Sequence, residues 1–462
     1  MKIVLKILAV IIIFLLVVGC SNEKTTTGTM GKITVEEVKT IVDNKDENYV
    51  LIDVREDYEF NEGHIPGAVN IPLGNITTVD YSKEKNGLNP ENSKNYTELS
   101  NANKPMDWIL MPKAFVSATR LPGIPLNTVC SVIGHSNVGK STLINHAISA
   151  AQRQGYIPVI IDTENSFSFQ YAQSMGFNGE PIYGDVEVEN IDEETGEVTI
   201  TTENQIVHWD GDFIYYNNKL LCDRFGKFDY NQGKEVNKKR TVAVVEDAAM
   251  CINELLDAQD NGEIEQGFLF VWDSVGSIGS FKEYNAKGVG NAMWTAASIS
   301  SAFNTIVNDR IPRSRKISSK YNNTFLYVNK VWMDAMTNPV GPAIMQTKGG
   351  KSLKYSTRLE ILMGGQLTSG IKRLTATYKG SDYSYGIETK IKILKNHLDA
   401  PHNVCYEGKM IASDIGFVDP ADLDDYKKNH ISNILKKLQE ISNSDKPINE
   451  KDITFTEEEV EE

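Results

Sequence analysis

Gly134-His135-Ser136-Asn137-Val138-Gly139-Lys140-Ser141, continuing into Thr142, fits the spacing G-x-x-x-x-G-K-[ST] without a mismatch. That spacing suits one chemistry, the holding of a polyphosphate. The glycines at both ends let backbone N–H groups wrap phosphate oxygens, and a helix starting inside the run adds a favourable dipole. Lys140 would neutralise the β- and γ-phosphates of ATP, and the Ser141 hydroxyl would complete the shell of a Mg²⁺ ion. The competing reading is a glycine-rich strand-to-helix turn without a ligand. Two acids extend the pattern: Asp162-Thr163-Glu164 closes the apolar run Pro158 to Ile161, and Asp273 closes the run Phe268 to Trp272. A carboxylate at a strand's carboxyl end, beside a phosphate loop, can orient water against the γ-phosphate, which points to Glu164. Asp273, followed by Ser274, has the form of a Walker B acid that holds Mg²⁺ through its water shell. A helix cap or a surface acid competes with the first assignment, and a buried strand with a capping aspartate competes with the second.

Such residues act together only if several buried strands end at one edge. Val129 to Ile133 is apolar and leads into the phosphate loop, while Ser141 to Ala151 continues as a helix. With the other two runs this predicts an α/β unit over about 106–424. Beyond it the spacing of Ile431, Ile434, Leu435, Leu438 and Ile441 predicts an amphipathic helix, and the chain ends in the acidic tail Glu457-Glu458-Glu459-Val460-Glu461-Glu462, so 425–462 reads as a helix and a tail. An insert lies at about 179–239. Within it Val186-Glu187-Val188 and Val198-Thr199-Ile200 alternate about Glu193-Glu194-Thr195-Gly196, which reads as a hairpin.

The 462 residues suffice for two or three domains, and 40% hydrophobic content can bury a substantial core. A net charge of −15, from 62 acidic and 47 basic side chains, excludes a protein coated in basic charge, so any nucleic-acid site must be local. The five cysteines, Cys20, Cys130, Cys222, Cys251 and Cys405, have neither zinc-ligand nor disulfide-framework spacing.

The amino terminus carries a separate message. Lys2 and Lys6 precede an unbroken apolar run from Ile7 to Val18, then Gly19-Cys20-Ser21. A short apolar stretch after positive charge reads as a secretory signal over 1–20. Its ending resembles a bacterial lipoprotein signal, in which Cys20 would be lipidated and anchor the chain to a membrane; a plain signal anchor or a buried helix is the other reading. Thr34 and Glu37 have capping-box spacing, and Tyr49 to Val54 reads as a short buried strand. The run from Asp53-Val54-Arg55 through Gly63-His64-Ile65-Pro66-Gly67-Ala68 to Pro72 resembles the first half of a rhodanese-like domain, over 31–76. In that family a cysteine loop carries the sulfur chemistry. No cysteine lies between Cys20 and Cys130, and Cys130 fits a buried strand better than the electropositive setting of a nucleophile. Sulfurtransferase activity is therefore not expected. Residues 77–105, polar and without periodicity, read as a linker.

Taken in order, the phosphate loop, Glu164 and Asp273-Ser274-Val275 resemble RecA-type recombinases, including their phage UvsX-like branch, from about 106 to 400. The resemblance implies a P-loop NTPase core with a mostly parallel central sheet, here with a β-rich insert and a partial rhodanese-like α/β segment before it. It implies Glu164 as catalytic glutamate, Tyr171 stacking on adenine, and Asn329 sensing the γ-phosphate. It also implies single- and double-stranded DNA as partners of two loops. The first, about 277–291, holds Lys282 and Lys287; the second, about 332–348, is followed by Gly349-Gly350-Lys351-Ser352-Leu353-Lys354-Tyr355. Ten basic residues from Arg310 to Arg358 (Arg310, Arg313, Arg315, Lys316, Lys320, Lys330, Lys348, Lys351, Lys354 and Arg358) stand against the single acid Asp334, supplying sequence-independent phosphate binding. Trp332 and Met333 offer apolar surface to unstacked bases. A solvated surface face is the other reading of that charge run. Lys395 matches one of two lysines that reach a neighbouring subunit's ATP, with His397 in place of the second, so a homo-oligomeric filament is implied. The acidic tail resembles flexible tails that modulate DNA access, or is functionless disorder.

An export signal and an ATP-driven DNA enzyme belong to different compartments: the core implies the cytoplasm, the signal a membrane-anchored lipoprotein. Two unrelated reading frames joined near 77–97 would account for the conflict. Three functions stay open at this stage. They are a strand-exchange recombinase acting in recombination and repair, another RecA-fold DNA motor or annealing ATPase, and a membrane-tethered rhodanese-like lipoprotein whose ATPase half is passive.

Overall fold

The computed structural model describes residues 103–460 apart from 192–197, 287–291, 335–343, 348–349, 399–405 and 445, and before them only 39, 40, 43, 52, 53, 60, 63–65 and 68–70. Cys20, the capping box at Thr34 and nearly all of the linker lie outside these residues. The chain divides into two units, Met1–Leu99 and Ser100–Glu462. In the first, β1 (Ile52–Asp53) pairs in parallel with β2 (Val69–Asn70), with Ile52 opposite Val69. The His64 ring stacks on Phe60 and its Nδ1 donates to the Phe60 carbonyl at 3.0 Å. Among the described residues no helix is long and apolar enough to cross a membrane.

The second unit opens with the two-stranded ribbon β3 (Trp108–Leu110) and β4 (Gly123–Pro125), joined by α1 (Lys113–Thr119). The strand β5 (Val129–Gly134) is buried at every position, so helices must cover both its faces. It runs through the phosphate loop into α2 (Lys140–Arg153) and then β6 (Ile157–Asp162) and α3 (Phe169–Ser174). The insert follows as the hairpin β7 (Glu180–Ile191) and β8 (Val198–Asp210), where the alternation predicts one. Its remainder is less separate than the sequence suggests. The strand β9 (Ile214–Asn217) joins the central sheet beside β6, and α4 (Asn218–Phe225) buries Leu221, Cys222 and Phe225. A small ribbon, β10 (Phe228–Asp229) and β11 (Lys234–Glu235), leads to α5 (Val245–Asp260), β12 (Phe268–Asp273), α6 (Phe281–Asn285) and α7 (Ala292–Ala302).

Next come β13 (Thr324–Asp334), β14 (Ile344–Thr347), α8 (Gly350–Ser356) and β15 (Leu359–Met363). The parallel part of the sheet has the order β15-β5-β13-β12-β6-β9. Strand alternation divides its side chains between two cores. Cys130, Val132, Leu269, Val271, Leu326 and Val328 pack with Leu143, Ile144, Ala147 and Ile148 of α2. Val129, Phe268, Phe270, Trp272, Phe325 and Tyr327 pack with Ala248, Ile252 and Leu256 of α5. The Cys130 thiol is enclosed in the first core, where burial pushes it up to about 12, as expected of a structural strand thiol.

The sheet continues antiparallel through β16 (Ile371–Tyr378), β17 (Ser381–Asn396), β18 (Glu407–Ser413) and β19 (Gly416–Val418). The helix α9 (Leu423–Ile441) buries Ile434 and Leu438 against this part, as its spacing predicts. The acidic tail departs from expectation. Rather than a flexible appendage, Thr454–Val460 forms β20, antiparallel to β16. Lys372 stands opposite Glu459 and Arg373 opposite Glu458, so cross-strand charge complements the acids. Deleting residues 454–462 is expected to lower stability by on the order of 1–3 kcal/mol, because it bares the β16 edge and removes the Phe455 ring from its packing. A urea melt that superimposes on the full-length curve would contradict this.

Candidate nucleotide and DNA site

The phosphate loop owes its shape to two glycines. A Cβ on Gly134 would lie 2.3 Å from the Met363 carbonyl oxygen. Gly139, directly before α2, holds φ at +89°, which side-chain-bearing residues rarely adopt. Lys140, 9% exposed, turns back into the loop and donates to the carbonyls of Gly134, at 3.1 Å, and His135. Burial lowers its pKa to about 8, against the pull of Asp273 and Glu164. The ammonium thus rests on weak dipolar partners inside a curl of backbone, and the buried His135 Nε2 has no hydrogen-bond partner among the described residues.

The glutamate loop is held from below by residues the sequence reading passed over. Asp162, 1% exposed, accepts from the backbone N–H of Ser166 at 3.1 Å, that of Phe167 at 2.9 Å, and the Tyr215 hydroxyl at 3.0 Å. The Thr163 hydroxyl bonds the Ser274 carbonyl at 2.9 Å and the Ser277 hydroxyl at 2.6 Å, while Trp272 Nε1 donates to it at 3.1 Å. These contacts fix β6 to β12 with Asp162 opposite Asp273. Glu164 then stands over the gap, accepting from the Ser274 hydroxyl at 2.5 Å and pairing with Lys330 Nζ at 3.1 Å. Burial alone would raise its pKa; the bonds from Ser274 and Lys330 prevail and hold it below the usual carboxylate range. Asp273 shows the opposite balance, since burial and the neighbouring Glu164 and Asp162 push it up to about 7.

Ser141, Asp162, Tyr171 and Asp273 line one cavity of about 50 Å³. The donor set suits the group it would hold. A hydroxyl and a carboxylate short of positive charge match an oxygen-coordinated divalent cation, and a lysine resting on carbonyls matches a phosphate. Residues 134–142, Glu164 and Asp273 are therefore brought together at the carboxyl ends of three parallel strands.

Other expected residues are placed differently. Asn329 is 2% exposed, within the sheet. It is Lys330, opposite Gly134 in the β13–β5 register, that reaches the glutamate. The polar group facing the nucleotide cleft is thus one residue later than the sequence alignment implied, and Lys330 sits at the cleft rather than on a separate DNA loop. Tyr171 hydroxyl bridges Thr142 at 3.0 Å and the Ser413 carbonyl at 2.8 Å, tying α2 to β18. Lys395 donates to the carbonyls of Lys354 and Tyr355, at 2.9 and 3.2 Å, and takes no part in this chain's own cleft. His397 is exposed nearby.

Of the first DNA loop, Lys282 is exposed, with its ammonium 4.6 Å from the Trp294 ring centroid; Lys287 lies outside the described residues. The second loop begins and ends as a β-hairpin, with Trp332 opposite Gln346 and Met333 opposite Met345. Lys354 is exposed on α8; Lys348 and the Lys351 side chain lie outside the described residues. The basic run is also smaller than its count. Arg310 is bound to Asp257 and Asp260 at 2.8 and 2.9 Å, and Arg313 pairs with Asp309, so both serve the fold. Among the described residues no group of three or more His, Cys, Asp or Glu could hold a metal ion by itself.

Two stretches of the chain match known families. Residues 112–207 match the family model described as the RecA N-terminal domain, and residues 34–106 match that of the rhodanese-like domain. The latter match extends across the stretch read from sequence as a linker. Protein RecA of Aquifex aeolicus (strain VF5) is 36% identical over 66 residues, 14% of this chain and 19% of that protein. Protein RecA of Mesoplasma florum is 36% identical over 74 residues, 15% and 22% of the two chains. Protein RecA of Porphyromonas gingivalis (strain W83) is 34% identical over 80 residues, 17% and 24%. The chain thus spans about a fifth of the length of these curated relatives.

Proposed function

We propose that this chain is an ATP- and Mg²⁺-dependent, DNA-stimulated ATPase that binds single-stranded DNA and promotes homologous strand exchange as a filament of its own copies. The observation that carries the reading is the meeting of Lys140, Glu164 and Asp273 with Lys330 at one edge of the parallel sheet, with Lys330 joining the glutamate to the strand that leads into the β13–β14 hairpin. Bound Mg²⁺–ATP would supply an electrophilic phosphorus and an activated leaving group. The chain's own residues do the rest. The loop N–H groups and Lys140 hold phosphate oxygens, and Ser141 and Asp273 hold the cation shell. Glu164 orients the attacking water and takes its proton, while Ser274 fixes its carboxylate. Tyr171, at the mouth of the small cavity, flanks the base. Lys395 acts on a neighbouring copy's nucleotide. Lys282, Lys287, Trp332, Met333, Lys348, Lys351 and Lys354 meet DNA.

The same contact gives coupling. Lys330 pairs with Glu164 while no phosphate competes for it, so a nucleotide or DNA phosphate that draws Lys330 away releases the glutamate. Glu164 acts as a base only when ionised, so turnover is present above its pKa and fades as pH falls through it. Lys330→Met removes a charge that lowers that pKa in the unliganded chain, and the acid limb of the kcat/KM profile, which reports the free enzyme, is expected to move to higher pH. A profile with an unshifted acid limb would show that Lys330 does not act on Glu164.

The core acts where ATP and DNA are, in the cytoplasm, and lipidation at Cys20 would belong to a differently routed product. The direct test measures ATP turnover of the full chain with and without single-stranded DNA, beside Lys140→Ala. Turnover stimulated by DNA and lost in the variant supports the reading. Unwinding by closed rings without strand exchange would favour another RecA-fold motor, and failure to bind ATP while Cys20 is lipidated would favour the passive lipoprotein.

A further inference from the structure

A second, larger cavity lies beside the nucleotide cleft. It is an open cleft of about 1300 Å³ between the end of the insert and the segment after β12. Lys219, Asp223, Lys238 and Lys239 of the insert line it together with Tyr284, Asn285 and Asn165, the residue after the glutamate. The charges on the insert wall are unbalanced. Lys219 and Lys239 share the single carboxylate of Asp223, at 2.5 and 2.6 Å, and exposed Lys238 makes no ion pair among the described residues. Arg240 adds nothing, because Asp247 neutralises it, whereas Glu283, held by the Ser280 N–H and the Thr295 hydroxyl, keeps its negative charge on the segment after β12. Two positive charges are therefore left among the insert's lining residues, and the half-buried Tyr284 lines the same cleft. A lysine pair sharing one acid is an arrangement that an incoming phosphate can exchange into, and a tyrosine ring lining the same cleft offers a surface for a base. The wall is also joined to the chemistry, since Asn218 Nδ2 donates to the Thr163 carbonyl at 3.0 Å, next to Glu164.

Building on the DNA-binding reading above, we infer that this cleft is a second backbone site for single-stranded nucleic acid, in which Lys219, Lys238 and Lys239 of the insert hold phosphates and Tyr284 stacks a base. The insert thereby lengthens the DNA path past the end of the first loop and brings a phosphate-sensitive wall against the glutamate loop.

The test measures binding of a fluorescent oligothymidylate to the full chain over a salt series. The wild type is compared with the triple variant Lys219→Ala/Lys238→Ala/Lys239→Ala and with Asp223→Asn. Each phosphate contact to a single strand contributes about 0.7 to the slope of log affinity against log salt, so the triple variant is expected to lose about 2 from the slope and at least about ten-fold in affinity. Asp223→Asn, which frees the lysines, is expected to bind more tightly than wild type, an effect that misfolding cannot imitate. A triple variant with the wild-type slope, or an Asp223→Asn that binds no more tightly, overturns the inference and leaves the DNA-binding reading standing. A wild-type chain that binds an ATP analogue but no oligothymidylate overturns both.

Discussion

Glu164→Gln is expected to reduce ATP turnover by at least about 100-fold, the lower bound for loss of a positioned general base, while affinity for Mg²⁺–ATP changes little. Glutamine keeps the size of the side chain and can still accept from the Ser274 hydroxyl, which lies 2.5 Å from the carboxylate. It cannot take a proton from water, and it forms no ion pair with Lys330. The two consequences separate cleanly. Steady-state phosphate release reports the first, and binding of a fluorescent nucleotide analogue reports the second. Turnover within about five-fold of wild type would exclude Glu164 as the base, whatever its position.

The second large effect lies away from the chemistry. Asp247, fully buried, receives two guanidinium bonds from Arg240, at 2.6 and 2.8 Å, the Tyr230 hydroxyl at 2.7 Å and the Val244 N–H at 2.9 Å. Arg240 also donates to the Phe225 carbonyl at 2.8 Å, so one ion pair clasps the end of the insert to the start of α5. Asp247→Ala leaves a guanidinium enclosed without its counter-charge and is expected to cost about 3–5 kcal/mol, as breaking a buried pair from one side does. Replacing both partners, as Arg240→Met with Asp247→Leu, is expected to recover most of that loss, because no charge is then stranded. Denaturant midpoints of Asp247→Ala and of the double variant, each against wild type, test this. A double variant no more stable than Asp247→Ala would show that the clasp contributes through its shape and not its charge.

Much of the nucleotide half was legible because its chemistry is local. The phosphate loop, the glutamate and the Walker B acid each lie within a few residues of an apolar run, and β5, β6 and β12 form where those runs stand. What failed was parity. Leu326 and Val328 face the α2 core, and the next residue of that parity is Lys330; Asn329 shares the face of Phe325 and Tyr327. Counting alternate positions along β13 would have chosen Lys330, whereas matching by side-chain amide chose Asn329. The tail failed for a different reason. Three consecutive glutamates look like a solvated end until Lys372 and Arg373 are known to stand across from them, and that pairing joins residues far apart in the chain. Arg310 and Arg313 likewise read as free positive charge because their acids lie outside the window counted, Asp309 at its edge and Asp257 and Asp260 in a different helix. The cleft beside the insert was not foreseeable at all, since its walls come from segments about 50 residues apart, near 219–239 and 277–285.

Everything proposed for the nucleotide depends on Lys140, Ser141, Glu164 and Asp273 serving one Mg²⁺–triphosphate. A structure of the full chain with Mg²⁺ and a non-hydrolysable ATP analogue examines that directly. The account predicts triphosphate oxygens inside the loop 134–141, the Lys140 ammonium moved off the carbonyls of Gly134 and His135 onto phosphate, and the cation between Ser141 and Asp273. Nucleotide bound elsewhere, or bound with Lys140 still resting on its own loop, would contradict it.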